Sequence, residues 1–120
     1  MDFRHRDVVW VDLSLGGPVG DEMPKTRPCV VISPDVHNRN GRCILVVPIS
    51  TLKVGRNPGS TEVFLPKGEG DLRDDSVALP LHVRSIDPKH RVKEQSRGSI
   101  SEESLSKIVN VLYQFTKRNY

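Results

Sequence analysis

The stretch Gly20-Asp21-Glu22-Met23-Pro24-Lys25-Thr26-Arg27-Pro28-Cys29-Val30-Val31-Ile32-Ser33-Pro34 decides how the chain is read. Its centre, Cys29 to Ile32, is a short apolar run bounded by prolines. Such a run predicts a buried strand held at its ends. The polar residues ahead of it then lie on a loop over a rigid base, where binding groups tend to be mounted. Glu22 and Arg27 stand at the mouth of that strand, and a carboxylate beside a guanidinium suggests phosphate chemistry.

Upstream, residues 8–13 place Val8, Trp10 and Asp12 on one face and Val9, Val11 and Leu13 on the other, which predicts a strand largely buried on both sides. The connection from Ser14 to Lys25 holds Gly16, Gly17, Pro18, Gly20 and Pro24, so it is expected to be a mobile loop. Downstream, Asp35 to Gly41 reads as a turn and Cys43 to Ile49 as a second apolar strand, forming an antiparallel hairpin with the first. Thr61 to Leu65 alternates as a further strand, Lys67 to Asp75 is a glycine-rich loop, and Ser76 to Ile86 fits a strand interrupted or bent at Pro80. From Ser101 to about Lys117 the period changes. Leu105, Ile108, Leu112 and Phe115 recur at helical spacing, with Ser101 as the N-cap ahead of Glu102 and Glu103. Short strands closed by one terminal helix predict a mainly β, α+β architecture: a small, partly open barrel or strongly twisted sheet with the helix packed on it.

A chain of 120 residues is expected to form one domain, 1–120. Apolar residues make up 36% and charged residues 28%, somewhat low in apolar content, which leaves room for a partner surface. No apolar run approaches bilayer length and none follows the N-terminus as a signal peptide would, so the expected location is the cytoplasm. In that reducing compartment Cys29 and Cys43 are expected to be buried thiols. No Cys-x-x-Cys or His-x-x-x-His spacing occurs, so no metal or other cofactor is expected. The net charge of +3 permits nucleic-acid binding without demanding it.

The Gly-x-Glu-x-x-x-x-Arg-Pro pattern, followed by Val30-Val31-Ile32-Ser33-Pro34 and Asn38, resembles the MazF/PemK family of bacterial toxin endoribonucleases. The resemblance runs from Arg6-Asp7-Val8-Val9-Trp10-Val11-Asp12-Leu13 through Val46-Val47-Pro48-Ile49-Ser50-Thr51 to Asp75-Ser76-Val77-Ala78-Leu79 and Val83-Arg84-Ser85-Ile86-Asp87, covering nearly the whole chain in order. It implies an SH3-like barrel of the type shared by MazF/PemK and CcdB toxins.

Arg27 is the leading catalytic candidate, because a guanidinium stays charged and forks onto two phosphate oxygens. The resemblance implies the same role. The alternative is that Arg27 pairs with Glu22 or Asp21 to fasten the loop. Ser50 occupies the position of the family's site threonine and Thr51 follows it; a pair of hydroxyls capping a turn is the plainer use. Glu22 matches the family's acidic residue and could accept the ribose 2′-hydroxyl proton or orient Arg27. Met23 and Lys25 replace the glutamine and glycine of relatives, and Lys25 could add a phosphate contact. Leu81 and His82 replace an acidic residue and a glutamine. His82 could serve as base or acid, or be a half-buried strand histidine bonded to backbone. His5, His37 and His90 read as surface residues. Lys53, Arg56, Lys67 and Arg84 could rim a groove that tracks an RNA backbone, as solvated loops also would. Aromatic residues are only 5% of the chain and Trp10 lies inside a strand pattern, so base stacking is expected to be sparse and Trp10 to belong to the core.

The implied activity is metal-independent cleavage of single-stranded RNA by 2′-hydroxyl attack, giving 2′,3′-cyclic phosphate and 5′-hydroxyl ends. The implied partners are a second copy in a homodimer and a cognate antitoxin. Two rivals are a family member that binds RNA or antitoxin without catalysis, and a gyrase poison of the CcdB kind. Against the latter, the chain ends Lys117-Arg118-Asn119-Tyr120 without the tryptophan, glycine and isoleucine of that toxin.

Overall fold

β-Branched residues occupy alternate positions on both faces of three consecutive strands, and the sheet they form is covered on both sides. In the computed structural model, which describes residues 2–14 and 26–118, these strands are β1 (Asp7–Asp12), β2 (Thr26–Val31) and β3 (Ile44–Thr51). They are followed by β4 (Val63–Leu65), β5 (Ser76–Ala78), β6 (Arg84–Ile86) and β7 (Val92–Ser99). Helices are α1 (Asp35–Asn40), α2 (Pro88–Arg91) and α3 (Glu102–Thr116), with 3-10 turns at Glu69–Asp71 and Pro80–His82. The strand order is β4-β5-β3-β2-β1-β7, with β6 also on β3, and every ladder is antiparallel.

Alternation divides the interior into two cores. Val8, Val30, Val47 and Ile49 face Leu105 and Ile108 of α3, whereas Val9, Val11, Cys29, Val31 and Val46 face Phe3, Ile44, Ile86 and Val92. Burial of one such side chain stabilises by about 1.5–3 kcal/mol. The Ser101 cap, whose hydroxyl accepts from the Ser104 amide at 3.1 Å, contributes about 1 kcal/mol. Packing of Leu105 and Ile108 therefore outweighs the cap in fixing α3. Glu69 ties the cap to the preceding turn: its Oε1 accepts from the Ser101 amide at 2.7 Å and from the Ser101 hydroxyl at 2.9 Å.

β3 changes partners along its length. Ile44 to Val46 pair with β6, and Ile49 to Thr51 pair with β5. Between them Pro48 donates nothing, and its carbonyl accepts from the Leu79 amide at 2.9 Å. The span Ser76 to Ile86 is broken at Pro80 as expected, by a 3-10 turn.

The structure departs from expectation in three places. Asp35 to Gly41 is not a simple turn but includes α1, because Asn38 donates its side-chain amide to the Ser33 carbonyl at 2.9 Å and accepts from the Ser33 hydroxyl. The eight residues of β7 gave no strand signal: only Val92 is apolar, and the strand rests on backbone pairing with β1. Trp10 is not core, being 38% exposed while Val8, Val9 and Val11 beside it are at most 1% exposed. No helix among the described residues is long and apolar enough to cross a membrane.

Candidate functional site

Register places the two strongest candidates together. Cys29 pairs with Pro48 and Val30 with Val47, so continuing the ladder brings Arg27 level with Ser50 on β3. By alternation from Cys29 and Val46, Arg27 and Ser50 lie on the side of the second core, and Thr51 lies on the opposite side with Ile49.

On the Arg27 side a cavity of about 490 Å³ is lined by Leu13, Arg27, Pro48, Ser50, Leu79, His82, Val83 and Arg84. Among the described residues it has two guanidiniums, an imidazole and a hydroxyl, and no carboxylate. His82 ends the Pro80–His82 turn and is exposed, so it is not a half-buried strand histidine. Arg84 donates from Nη1 to the Leu13 carbonyl at 2.9 Å, and Arg91 donates from Nη1 to the Ser14 carbonyl at 2.8 Å. Asp12 accepts from the Ser14 amide at 2.9 Å and from its hydroxyl, and these bonds hold the Asp12 carboxyl below its usual range. The root of the segment that follows Ser14 is thus pinned beside the cavity. Beneath it, burial pushes the Cys29 thiol up to about 12, against the opposing pull of Arg84 and Arg27.

A larger cavity of about 710 Å³ shares Arg27 and Ser50 with the first. Thr51, Trp10, Pro28, Glu94 and the turn residues Asp71, Arg73 and Asp74 also line it. Gly70 and Asp71 both have positive φ, 62° and 61°, so the chain doubles back and presents the following residues to the cavity.

Of the remaining candidates, Lys53 and Arg56 are exposed on the loop after β3, with the Arg56 amide bonded to the Lys53 carbonyl, and Lys67 is exposed further along; none lines either cavity. Glu22 and Lys25, with Met23, lie outside the described residues, as does the proposed pairing of Arg27 with Glu22 or Asp21. His5 is not a plain surface residue: its Nδ1 lies 3.2 Å from the Ser33 carbonyl. Both cysteines are free, Cys29 buried and Cys43 half-buried. The sequence reading missed Arg73 and Glu94 and misassigned Trp10, because only register and the folded turn bring these residues to Arg27.

The family described as PemK-like, MazF-like toxin of type II toxin-antitoxin system matches residues 4–116. Among solved structures, MazF from Deinococcus radiodurans superposes with a TM-score of 0.74 at 23% identity, covering 96% of each chain. The MazE–MazF complex of the same organism gives 0.72 at 20% identity over 99% of each chain. An endoribonuclease from Mycobacterial species, solved with its cognate antitoxin, gives 0.69 at 13% identity over 99% of this chain and 97% of that one. No curated protein matches the chain significantly. The mostly antiparallel sheet with its terminal helix is the CcdB/MazF fold.

Proposed function

This chain belongs to the PemK-like, MazF-like family of type II toxins, and we propose that it is a metal-independent endoribonuclease that cleaves single-stranded RNA. The observation that carries this reading is the convergence of Arg27, Ser50, His82 and Arg84 on one cavity without a described carboxylate. A phosphodiester entering it meets two guanidinium charges, of which Arg84 is held by the Leu13 carbonyl.

In the proposed reaction the ribose 2′-oxygen attacks phosphorus, losing its proton to a base. The 5′-oxygen leaves with a proton from an acid, giving a 2′,3′-cyclic phosphate and a 5′-hydroxyl. Arg27 stabilises the extra charge of the phosphorane, and Arg84 adds to the same field. Ser50 donates a hydrogen bond that positions a phosphoryl oxygen, while Thr51 lines the larger cavity and not the smaller. His82, exposed and with no side-chain hydrogen bond among the described residues, is the described group suited to proton transfer near neutral pH. Glu22 is the other base candidate. Lys25, Lys53 and Arg56 supply contacts to phosphates further along the strand. In this reading the toxin acts in the cytoplasm as a homodimer and is silenced by a cognate antitoxin; structures of relatives solved with an antitoxin support the last of these.

Cleavage of a long single-stranded RNA in EDTA, with the product ends mapped, tests the reading. Cyclic-phosphate ends from the parent protein, and a rate lower by on the order of 100- to 1000-fold in Arg27→Ala, are expected. Equal cleavage by both proteins would remove Arg27 from the site. No cleavage by the folded parent would leave a family member that binds RNA or antitoxin without cutting.

A further inference from the structure

Trp10 is exposed where its strand neighbours are buried, and it opens onto the 710 Å³ cavity that shares Arg27 and Ser50 with the phosphate cavity. Its cross-strand neighbours are Pro28 on β2 and Glu94 on β7. Side chains directly opposite in an antiparallel ladder share a face at about 5 Å spacing, so Trp10 and Glu94 project from the same face, and both line the larger cavity. The two cavities differ in charge. The smaller carries only cationic and neutral groups among its described lining, whereas the larger sets Asp71, Asp74 and Glu94 against Arg27 and Arg73. Carboxylates disfavour a second phosphate there, while an aromatic face with acceptors beside it suits a neutral ring that carries donors.

We infer that the larger cavity is a nucleobase subsite, in which a base next to the cleaved phosphate stacks on Trp10 and presents an exocyclic amino group to Glu94. This rests on the ribonuclease reading and deepens it. Stacking accepts any base, so discrimination falls to Glu94. A carboxylate accepts from the amino groups of adenine, cytosine or guanine, whereas uracil has no amino group and offers only its N3–H. Arg73, just after the Glu69–Asp71 turn, also lines this cavity.

Trp10 is the single tryptophan of the chain, so its fluorescence reports the subsite directly. The purified protein is titrated with short, fully 2′-O-methylated oligoribonucleotides, which cannot be cut, of adenosine, cytidine or uridine, with anisotropy of a terminal dye as a second readout. Cleavage of unmodified RNA is measured in parallel. Saturable quenching, tighter for adenosine or cytidine than for uridine, is expected. Glu94→Gln should remove that preference, Trp10→Ala should weaken binding by on the order of tenfold or more, and Trp10→Phe should retain most of it. Binding or cleavage without quenching would overturn the subsite and leave the ribonuclease reading standing. Quenching without cleavage would support the subsite and overturn that reading, and neither binding nor cleavage would overturn both.

Discussion

Ser50 stands level with Arg27 and lines both cavities, so one hydroxyl serves the whole of the proposed site. A hydrogen bond to a charged oxygen contributes about 1.5–3 kcal/mol, so Ser50→Ala should lower kcat by on the order of 10- to 100-fold. Ser50→Thr restores the family's residue and restricts the rotamer, and its kcat should equal or exceed the parent's; a Ser50→Ala rate equal to the parent's would take this hydroxyl out of the reaction. Cys29, completely buried beneath the same groups, gives a pH-dependent signal independent of activity. Its ordinary value is 9.0 and its folded value about 12, so between these the unfolded chain binds fewer protons than the folded one. Stability is therefore retained below pH 9 and lost as pH rises towards 12, with a limiting slope of about 1.4 kcal/mol per pH unit from this thiol. Urea unfolding of parent and Cys29→Ala across pH 8–10.5 should show the difference in slope. Arg27, Ser50 and Thr51 were legible in the sequence because each lies within a local proline-marked pattern at a strand end. Trp10 was misread because alternation says which face a residue takes, not whether that face is covered at that point along the strand.

At the scale of elements, the Glu69–Asp71 turn lies against β7 so closely that Gly98 has no room for a side chain. A Cβ there would sit 2.5 Å from the Gly70 carbonyl carbon and 2.7 Å from the Asp71 amide nitrogen, backbone atoms that cannot rotate away. Gly98→Ala should therefore cost roughly 1–3 kcal/mol or more by displacing the turn, exceeding the cost of about 1 kcal/mol for Ser101→Ala at the α3 cap. Denaturant midpoints of the two variants check the order. Because the same turn carries Asp71 and leads into Arg73, Gly98→Ala should also change the larger cavity, and more than Ser101→Ala does, since that variant keeps the Ser101 amide bond to Glu69. β1, the β2–β3 hairpin and α3 were legible because their apolar periods are strong. α1 was not, since its single turn is held by the Asn38–Ser33 pair rather than by any apolar face. β7 was not, since an edge strand made of Lys93, Glu94, Gln95 and their neighbours carries no alternation to detect.

At the scale of the molecule, α3 is only half used by its own core. Leu105 and Ile108 are buried, but Val109, Tyr113 and Phe115 are 46%, 59% and 61% exposed, all in the C-terminal half of the helix. Val109 and Tyr113, four residues apart, share one face of the helix, and covering them against a second copy contributes to the roughly 800 Å² per partner that a stable interface buries. This face is the contact proposed for the homodimer. Sedimentation equilibrium of the parent should then give twice the 13.5 kDa of the chain, and Val109→Asp combined with Tyr113→Asp should give the single chain mass with helical circular dichroism retained. Both positions are exposed in the chain, so the pair of carboxylates penalises association rather than folding. A double variant that stays dimeric would move the interface away from α3, and a monomeric parent would remove the homodimer from the proposal. A monomeric variant that still cuts RNA at the parent's rate would place all the groups needed for cleavage, Arg27 and Ser50 among them, within one chain.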